Sequence, residues 1–331
     1  MFDEFIAHPM FHLMPKGMAE AVTVVASRVK QAPRFVLDRA SVMFLQNMAR
    51  MPYKQIITAL AVCRLPYPKI WVEMAFRDRS DWLVTAQERG VRVSTNDFSS
   101  EPKRLGFFLE EAPPPYGKDF MLVQLAWSHT DPAIDISRKA ILIDLRVDRF
   151  SDDQYHKWRE NAPDAILNHG CSTVDDAVSF FELCERVHYI VPPHCERLWD
   201  EIAAMGLIEK FEELANFDLA SEWRFMMTLL IALNSRNLLK SEEGESLEKL
   251  NKARVKKGKP ALLNYRTIKL SLSPAMKRRM GQGYFDPTGR KKADPHLVAG
   301  HFKVRRSGIF FWSSHERGGH VAKPPTIHVT A

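Results

Sequence analysis

The chain has 331 residues, 45% of them hydrophobic and 26% charged, a globular balance that excludes a fibrous or largely disordered protein. Its length allows two domains, or one large domain with an appendage, and its four cysteines (Cys63, Cys171, Cys184, Cys195) do not form a disulfide framework. Its charge is divided: residues 249–331 carry 19 Lys and Arg against 3 Asp and Glu, whereas residues 1–248 carry 28 against 37.

Chain order gives the elements. Residues 17–32 and 35–50 predict two helices separated by Pro33, and Pro52 closes the second. A third, over 54–64, ends before Leu65-Pro66-Tyr67-Pro68. From Ile70 the character changes. Short segments rich in β-branched and aromatic residues follow at 70–76, 82–95, 104–111, 119–127 and 140–150, with Glu88-Arg89-Gly90 and Pro113-Pro114-Pro115-Tyr116-Gly117 as turns. Ile141, Ile143, Leu145 and Val147 alternate with Asp144, Arg146 and Asp148, which predicts a strand with one buried face. No clear helix separates these segments, so a mostly antiparallel sheet is expected.

Helical periodicity returns over 151–240. Ser151, Thr173 and Asp218 are expected N-caps, the helix after Thr173 running to His188 and the one after Asp218 to Leu233, with Pro192-Pro193 opening another. A last helix is predicted over 245–257, supported by Glu245/Lys249 and Glu248/Lys252 at i,i+4 and stopped by Gly258. The expected fold is α+β: an antiparallel sheet with flanking helical layers and a basic C-terminal β-hairpin module. The segments are 1–65 (N-terminal helical), 66–150 (sheet), 151–240 (helical) and 241–331 (basic module, with a hairpin at 301–314).

The divided charge suggests a polyanionic partner, since Lys and Arg clusters neutralise phosphates without base-specific contacts. The clusters are Lys252, Arg254, Lys256, Lys257 and Lys259, then Lys277, Arg278 and Arg279, then Arg290, Lys291 and Lys292. After them, 301–306 and 309–314 predict a hairpin turning at Ser307-Gly308, with Arg306 opposite Ile309. Phe302, Val304, Phe311 and Ser313 then share a core face, while His301, Lys303, Arg305, Phe310, Trp312 and Ser314 share the other. In that register Lys303 faces Trp312 and Arg305 faces Phe310. Such a face either binds nucleic acid, with cations on phosphates and aromatics on bases, or merely stabilises the hairpin by cation–π contacts.

Metal and catalytic candidates are weaker. His296, His301, His315 and His320 are spaced five, fourteen and five residues apart, but the expected register sets Gly300, not His301, opposite His315. Cys184, His188, His194 and Cys195 have ligand chemistry but are interrupted by Pro192-Pro193. Glu73, Glu110, Glu111, Asp144 and Asp148 could gather a magnesium ion for phosphodiester cleavage; a solvated strand face with cross-strand ion pairs is the competing explanation. Phosphate-loop, dinucleotide-binding and nucleophile-elbow motifs are absent, so no metal and no cofactor is expected, and the balance leans away from an enzyme.

The Leu250-Asn-Lys-Ala-Arg-Val-Lys-Lys-Gly-Lys-Pro-Ala-Leu-Leu-Asn-Tyr265 run, His296-Leu-Val-Ala-Gly-His-Phe-Lys303, Trp312 and His315-Glu-Arg-Gly318 resemble a family of uncharacterised bacteriophage and prophage proteins. In that family a basic segment precedes a strand and the chain ends on an HxxxGH(W/F)(R/K)…W…HxxG pattern; Phe302 stands where Trp is usual. Leu65-Pro66-Tyr67-Pro68 with Trp71-Val72-Glu73 is a further, weaker likeness. The resemblance implies a mobile-element origin and a cytoplasmic site of action, and supplies no catalytic residues. The start Met1-Phe-Asp-Glu-Phe5 carries no basic leader. The longest apolar stretch, 225–233, is nine residues, less than half of the roughly 20 that a bilayer span needs. The expectation is therefore a cytoplasmic nucleic-acid-associated protein with no membrane partner. Its alternatives are a protein-interaction factor engaging a partner through the acidic body, and a metal-dependent nuclease.

Overall fold

A computed structural model describes residues 16–48, 51–78, 103–128, 134–146, 150–169, 171–220, 222–243, 246–258, 265–271, 296–298, 301–312 and 315–317. The fold is α+β. A nine-stranded sheet has the order β7-β6-β4-β3-β2-β1-β9-β8, with β5 paired to β4. Its strands are β1 (Arg34–Leu37), β2 (Lys69–Ala75), β3 (Arg104–Ala112), β4 (Gly117–Ser128), β5 (Ile134–Ile136), β6 (Ala140–Asp144), β7 (Val187–Ile190), β8 (Leu239–Glu243) and β9 (Arg266–Leu270). Every pairing is antiparallel except β1 with β2 and β1 with β9.

Helices cover both faces. On one lie α1 (Lys16–Lys30), a 3₁₀ turn (Pro193–Cys195) and α7 (Glu196–Ala204), whose Val22, Val25, Leu198 and Ile202 pack on Trp71, Phe108 and Ala126 of the sheet. Against the other lie α2 (Arg39–Met48), α3 (Tyr53–Leu60), α5 (Ala162–His169), α6 (Val174–Arg186) and α9 (Trp223–Asn234), with α4 (Asp152–Glu160) packed on α6. Helix α9 is apolar nearly all round and is buried nearly all round, from Phe225 to Ala232. Helix α8 (Ile208–Ala220) packs on α7 and ties Lys139 to Glu212 at 2.9 Å. Among the described residues no helix is long and apolar enough to cross a membrane.

Four sequence expectations are corrected. The helix expected over 35–50 begins as a strand: Phe35 and Leu37 point into the core, and Asp38 Oδ1 accepts from Ser41 N at 2.8 Å, so the helix starts only after it. The helix expected to reach His188 stops at Arg186, where the chain becomes β7 and pairs with β6. Asp218 lies within α8 instead of ahead of a helix, and α9 begins after Glu222. Strand β6 is buried at all five positions, not on one face, and it ends at Asp144 because that carboxylate accepts the Arg146 N–H at 2.9 Å and turns the chain. The caps at Ser151 and Thr173 are as expected, their hydroxyls accepting from Gln154 N and Asp176 N. The expected strand over 82–95 lies outside the described residues.

Beyond the sheet come α10 (Glu248–Lys256) and four short strands: β10 (His296–Val298), β11 (His301–Arg305), β12 (Gly308–Trp312) and β13 (His315–Arg317). Strand β11 pairs β12 and β10 pairs β13, both antiparallel.

Candidate nucleic-acid interface

The β11–β12 hairpin is amphipathic, and its apolar side is docked. Phe302, Ile309 and Phe311 are buried in the main core, with Val304 packed beside them. Phe311 meets Phe44 of α2 edge-on at 5.0 Å between ring centroids and Phe302 at 5.4 Å. The segment after α9 grips the outer edge of β12. Arg236 N donates to Ile309 O at 3.0 Å, Asn237 Nδ2 donates to Phe311 O at 3.0 Å, and Asn237 Oδ1 accepts from Phe311 N at 2.9 Å. Ser235 bridges Ile309 in parallel.

The register differs from the expected one. Arg305 faces Gly308, so the turn residues are Arg306 and Ser307. This pairing sets Phe302 opposite Phe311 and Val304 opposite Ile309, apolar against apolar, whereas the expected one would have set Phe302 against Ser313. Because the partner shifts by an even number of residues, the faces are unchanged. His301, Lys303, Arg305, Phe310 and Trp312 do share the side away from the core. Lys303 now lies opposite Phe310, and His301 opposite Trp312. Trp312, 38% exposed, is the centre of this face. Lys303 Nζ stands 4.6 Å and Arg305 Cζ 5.4 Å from its ring centroid, and the His301 ring lies 6.2 Å away at 37°. Two cations thus lean on one indole without covering it.

Of the other expected contact residues, Lys252, Arg254 and Lys256 lie on α10 and Lys257 at its C-cap, Gly258 following with φ 66°. Glu248 and Lys252 pair at 3.2 Å; Glu245 lies outside the described residues. Lys259, Lys277, Arg278, Arg279, Arg290, Lys291, Lys292, Ser313 and Ser314 also lie outside them. Helix α10 and the hairpin anchor sit at opposite ends of β8.

Among the described residues the sheet carboxylates do not converge. Glu73 is buried on β2 between Arg104 Nη2 at 2.8 Å and Arg34 Nη2 at 3.4 Å, and accepts from Trp71 Nε1 at 2.9 Å. Burial pushes its carboxyl up, but Arg34, Arg104 and the Trp71 hydrogen bond outweigh that and hold it below the usual range. Glu110 pairs with Arg28 at 2.9 Å, and Asp144 is gripped by Arg146 at 2.7 Å. Glu111 is exposed; Asp148 lies outside the described residues.

Among the described residues the histidines and cysteines do not form a metal-binding group either. Val298, not Gly300, faces His315, and His320 lies outside the described residues. Cys184 is on α6, and His188 lies beyond its end in β7. His194 Nε2 meets Gln124 Oε1 at 2.6 Å beneath α1, and burial, helped by Arg28, pushes its pKa down to about 4. Cys195 is fully buried with its thiol pushed up to about 11 by desolvation, against the Gln124 hydrogen bond and Arg138. An inert thiol results. Among the described residues no group of three or more His, Cys, Asp or Glu is arranged to hold a metal.

Sequence reasoning missed the anchor. Asn237 carries no local signal beyond a turn-forming residue after a helix, because its partner lies 74 positions away. Comparison with protein-family models, with curated proteins and with solved structures finds no significant match.

Proposed function

We propose that the chain is a nucleic-acid-associated protein, phage- or prophage-encoded as its tail pattern implies, acting in the cytoplasm through its basic C-terminal region. One observation carries this reading. The hairpin's apolar face is consumed by the core, so the opposite face, with Lys303, Arg305, His301, Phe310 and Trp312, is held rigidly toward solvent. A fixed, exposed indole flanked by cations suits base stacking beside phosphate neutralisation. Acidic partners of other kinds would be served by the charge alone and would not need the indole.

The test is fluorescence anisotropy of the nuclease-treated protein with labelled single- and double-stranded DNA and RNA at two salt concentrations. The control is Lys303→Ala with Trp312→Ala. Deleting the tail would be a poor control, since β9 is part of the sheet and the hairpin is part of the core. Binding that weakens steeply with salt and is reduced in the double variant supports the reading. Absence of binding at low salt overturns it and favours a protein partner.

A further inference from the structure

Helix α10 faces a cleft where most helices face a core. None of its residues is buried. Its nine residues fall short of the roughly 12–15 at which an isolated helix becomes even marginal in water. The side that an amphipathic helix would pack inward, Glu248, Asn251, Lys252, Val255 and Lys256, instead walls a cleft of about 1100 Å³. The other wall is Arg34 at the start of β1, Tyr265 and Arg266 at the start of β9, and Glu243 at the end of β8.

The chemistry of this cleft is cationic. Arg34, Lys252, Lys256 and Arg266 stand against two carboxylates, Glu243 and Glu248. Glu243 lies opposite Arg266 in the β8–β9 register. Glu248 reaches Lys252 at 3.2 Å, but both side chains are about three-quarters exposed, at 74% and 78%. Such a pair holds its members weakly and yields readily to a stronger anion. Arg34 differs in being 9% exposed, braced from behind by Glu73 at 3.4 Å. A guanidinium is the group best matched to a phosphate. Tyr265, half-buried, adds a ring to the same wall.

We infer that this cleft is a second phosphodiester site, which takes a single nucleic-acid strand against Arg34, Lys252, Lys256 and Arg266 and holds α10 in place by doing so. The inference rests on the nucleic-acid reading above and deepens it. Arg34 and Tyr265 set a guanidinium-bearing side chain and an aromatic ring on the same wall, the pair of groups that a single strand meets with its phosphates and its exposed bases. Residues 238–247 lie between the hairpin anchor at Asn237 and α10; the five of strand β8 among them span about 16 Å at roughly 3.3 Å each. Two modest contacts linked by a short span reinforce each other, because the second forms at high effective concentration.

The test uses Lys252→Ala with Lys256→Ala, a fold-neutral pair because α10 buries nothing. Labelled oligo(dT) and oligo(rU) are titrated at several salt concentrations, and amide exchange in α10 is followed with and without saturating oligonucleotide. In the unsubstituted chain, oligonucleotide should slow exchange throughout α10. In the variant, affinity should fall about tenfold and the slope of log K against log salt should become shallower by about 1.4, the share of two phosphate contacts on a single strand. The Lys303→Ala, Trp312→Ala variant should still show protection of α10 at saturation. If the unsubstituted chain binds oligonucleotide but α10 exchange does not change, or if the salt slope is the same with Lys252 and Lys256 removed, the cleft is not a binding site and the hairpin reading stands alone. If the unsubstituted chain binds neither DNA nor RNA, the nucleic-acid reading fails and the cleft proposal with it.

Discussion

The Asn237 carboxamide holds both polar groups of Phe311: its Oδ1 accepts the Phe311 N–H at 2.9 Å and its Nδ2 donates to the Phe311 carbonyl at 3.0 Å. One side chain thereby does what a neighbouring strand would do, and pins the hairpin to the end of α9. Asn237→Ala leaves a buried residue's N–H and C=O without that partner, at an expected cost of about 1–3 kcal/mol. Asn237→Asp keeps the acceptor but turns an anion toward the Phe311 carbonyl, so it should destabilise as well. Urea unfolding and exchange of the Phe311 amide check both. Unchanged exchange in Asn237→Ala would mean that the apolar contacts alone hold the hairpin.

Gly308 opens β12 with φ 127°, a backbone region that L side chains rarely adopt. A Cβ there would also stand 3.0 Å from Arg236 Nε. Gly308→Ala should therefore cost about 1–3 kcal/mol through backbone strain. Adding Arg236→Ala removes the close contact but not the strain, so it should recover only a minor part of the loss. Full recovery in the double variant, measured by urea midpoint, would show that crowding, not backbone conformation, sets the cost.

Most of this architecture was legible where one local rule decides an element. Ser151 and Thr173 are caps because each hydroxyl meets an amide three residues on, and the strands at 69–75 and 104–112 show their β-branched and aromatic residues openly. Strand β1 was missed because Arg34-Phe35-Val36-Leu37 is only four residues and runs directly into a helix; Asp38 was the readable signal of the break. The hairpin's faces were legible because side-chain alternation has period two. Its register was not, since a slip by two residues leaves every face intact and only cross-strand packing chooses. The cleft was invisible: Arg34 and Lys252 are joined by strand order, and β9 lies beside β1 through a parallel pairing that no local pattern announces.

Trp312 lies on the hairpin face away from the core and is 38% exposed, so its replacement should separate binding from stability. Trp312→Ala removes the Lys303 and Arg305 contacts, worth about 0.5–1 kcal/mol each at an exposed site. If the indole stacks on a base, the same change should weaken oligonucleotide binding by about 1–3 kcal/mol, five- to over a hundredfold. Trp312→Phe should retain much of the binding. A Trp312→Ala protein with unaltered affinity and a lowered urea midpoint would instead assign the aromatic–cationic cluster to hairpin stability.

Glu73 and Glu110 share one sheet face and are both buried, yet they should respond oppositely to acid. Glu73 sits between two guanidiniums and an indole N–H that hold its carboxyl down against burial. Its folded pKa lies below the unfolded one, so its stabilising contribution is complete above about pH 4.3 and is lost as pH falls through the folded value. Glu110 has Arg28 Nη1 at 2.9 Å but out of hydrogen-bond alignment, and burial raises its pKa despite Arg28 and Lys69. Its charged form therefore costs stability at neutral pH, and that cost is relieved as pH falls through the raised value. Glu73→Gln removes the buried anion between Arg34 and Arg104, at an expected loss of about 3–5 kcal/mol. Glu110→Gln, whose partner Arg28 is partly solvated, should stay within about 1 kcal/mol of the parent at pH 7. Urea titrations at pH 4, 5.5 and 7 decide between them: Glu73→Gln should lose most at pH 7 and least at pH 4. Equal losses for both variants at every pH would show that the two carboxylates differ only in burial and not in the partners that surround them.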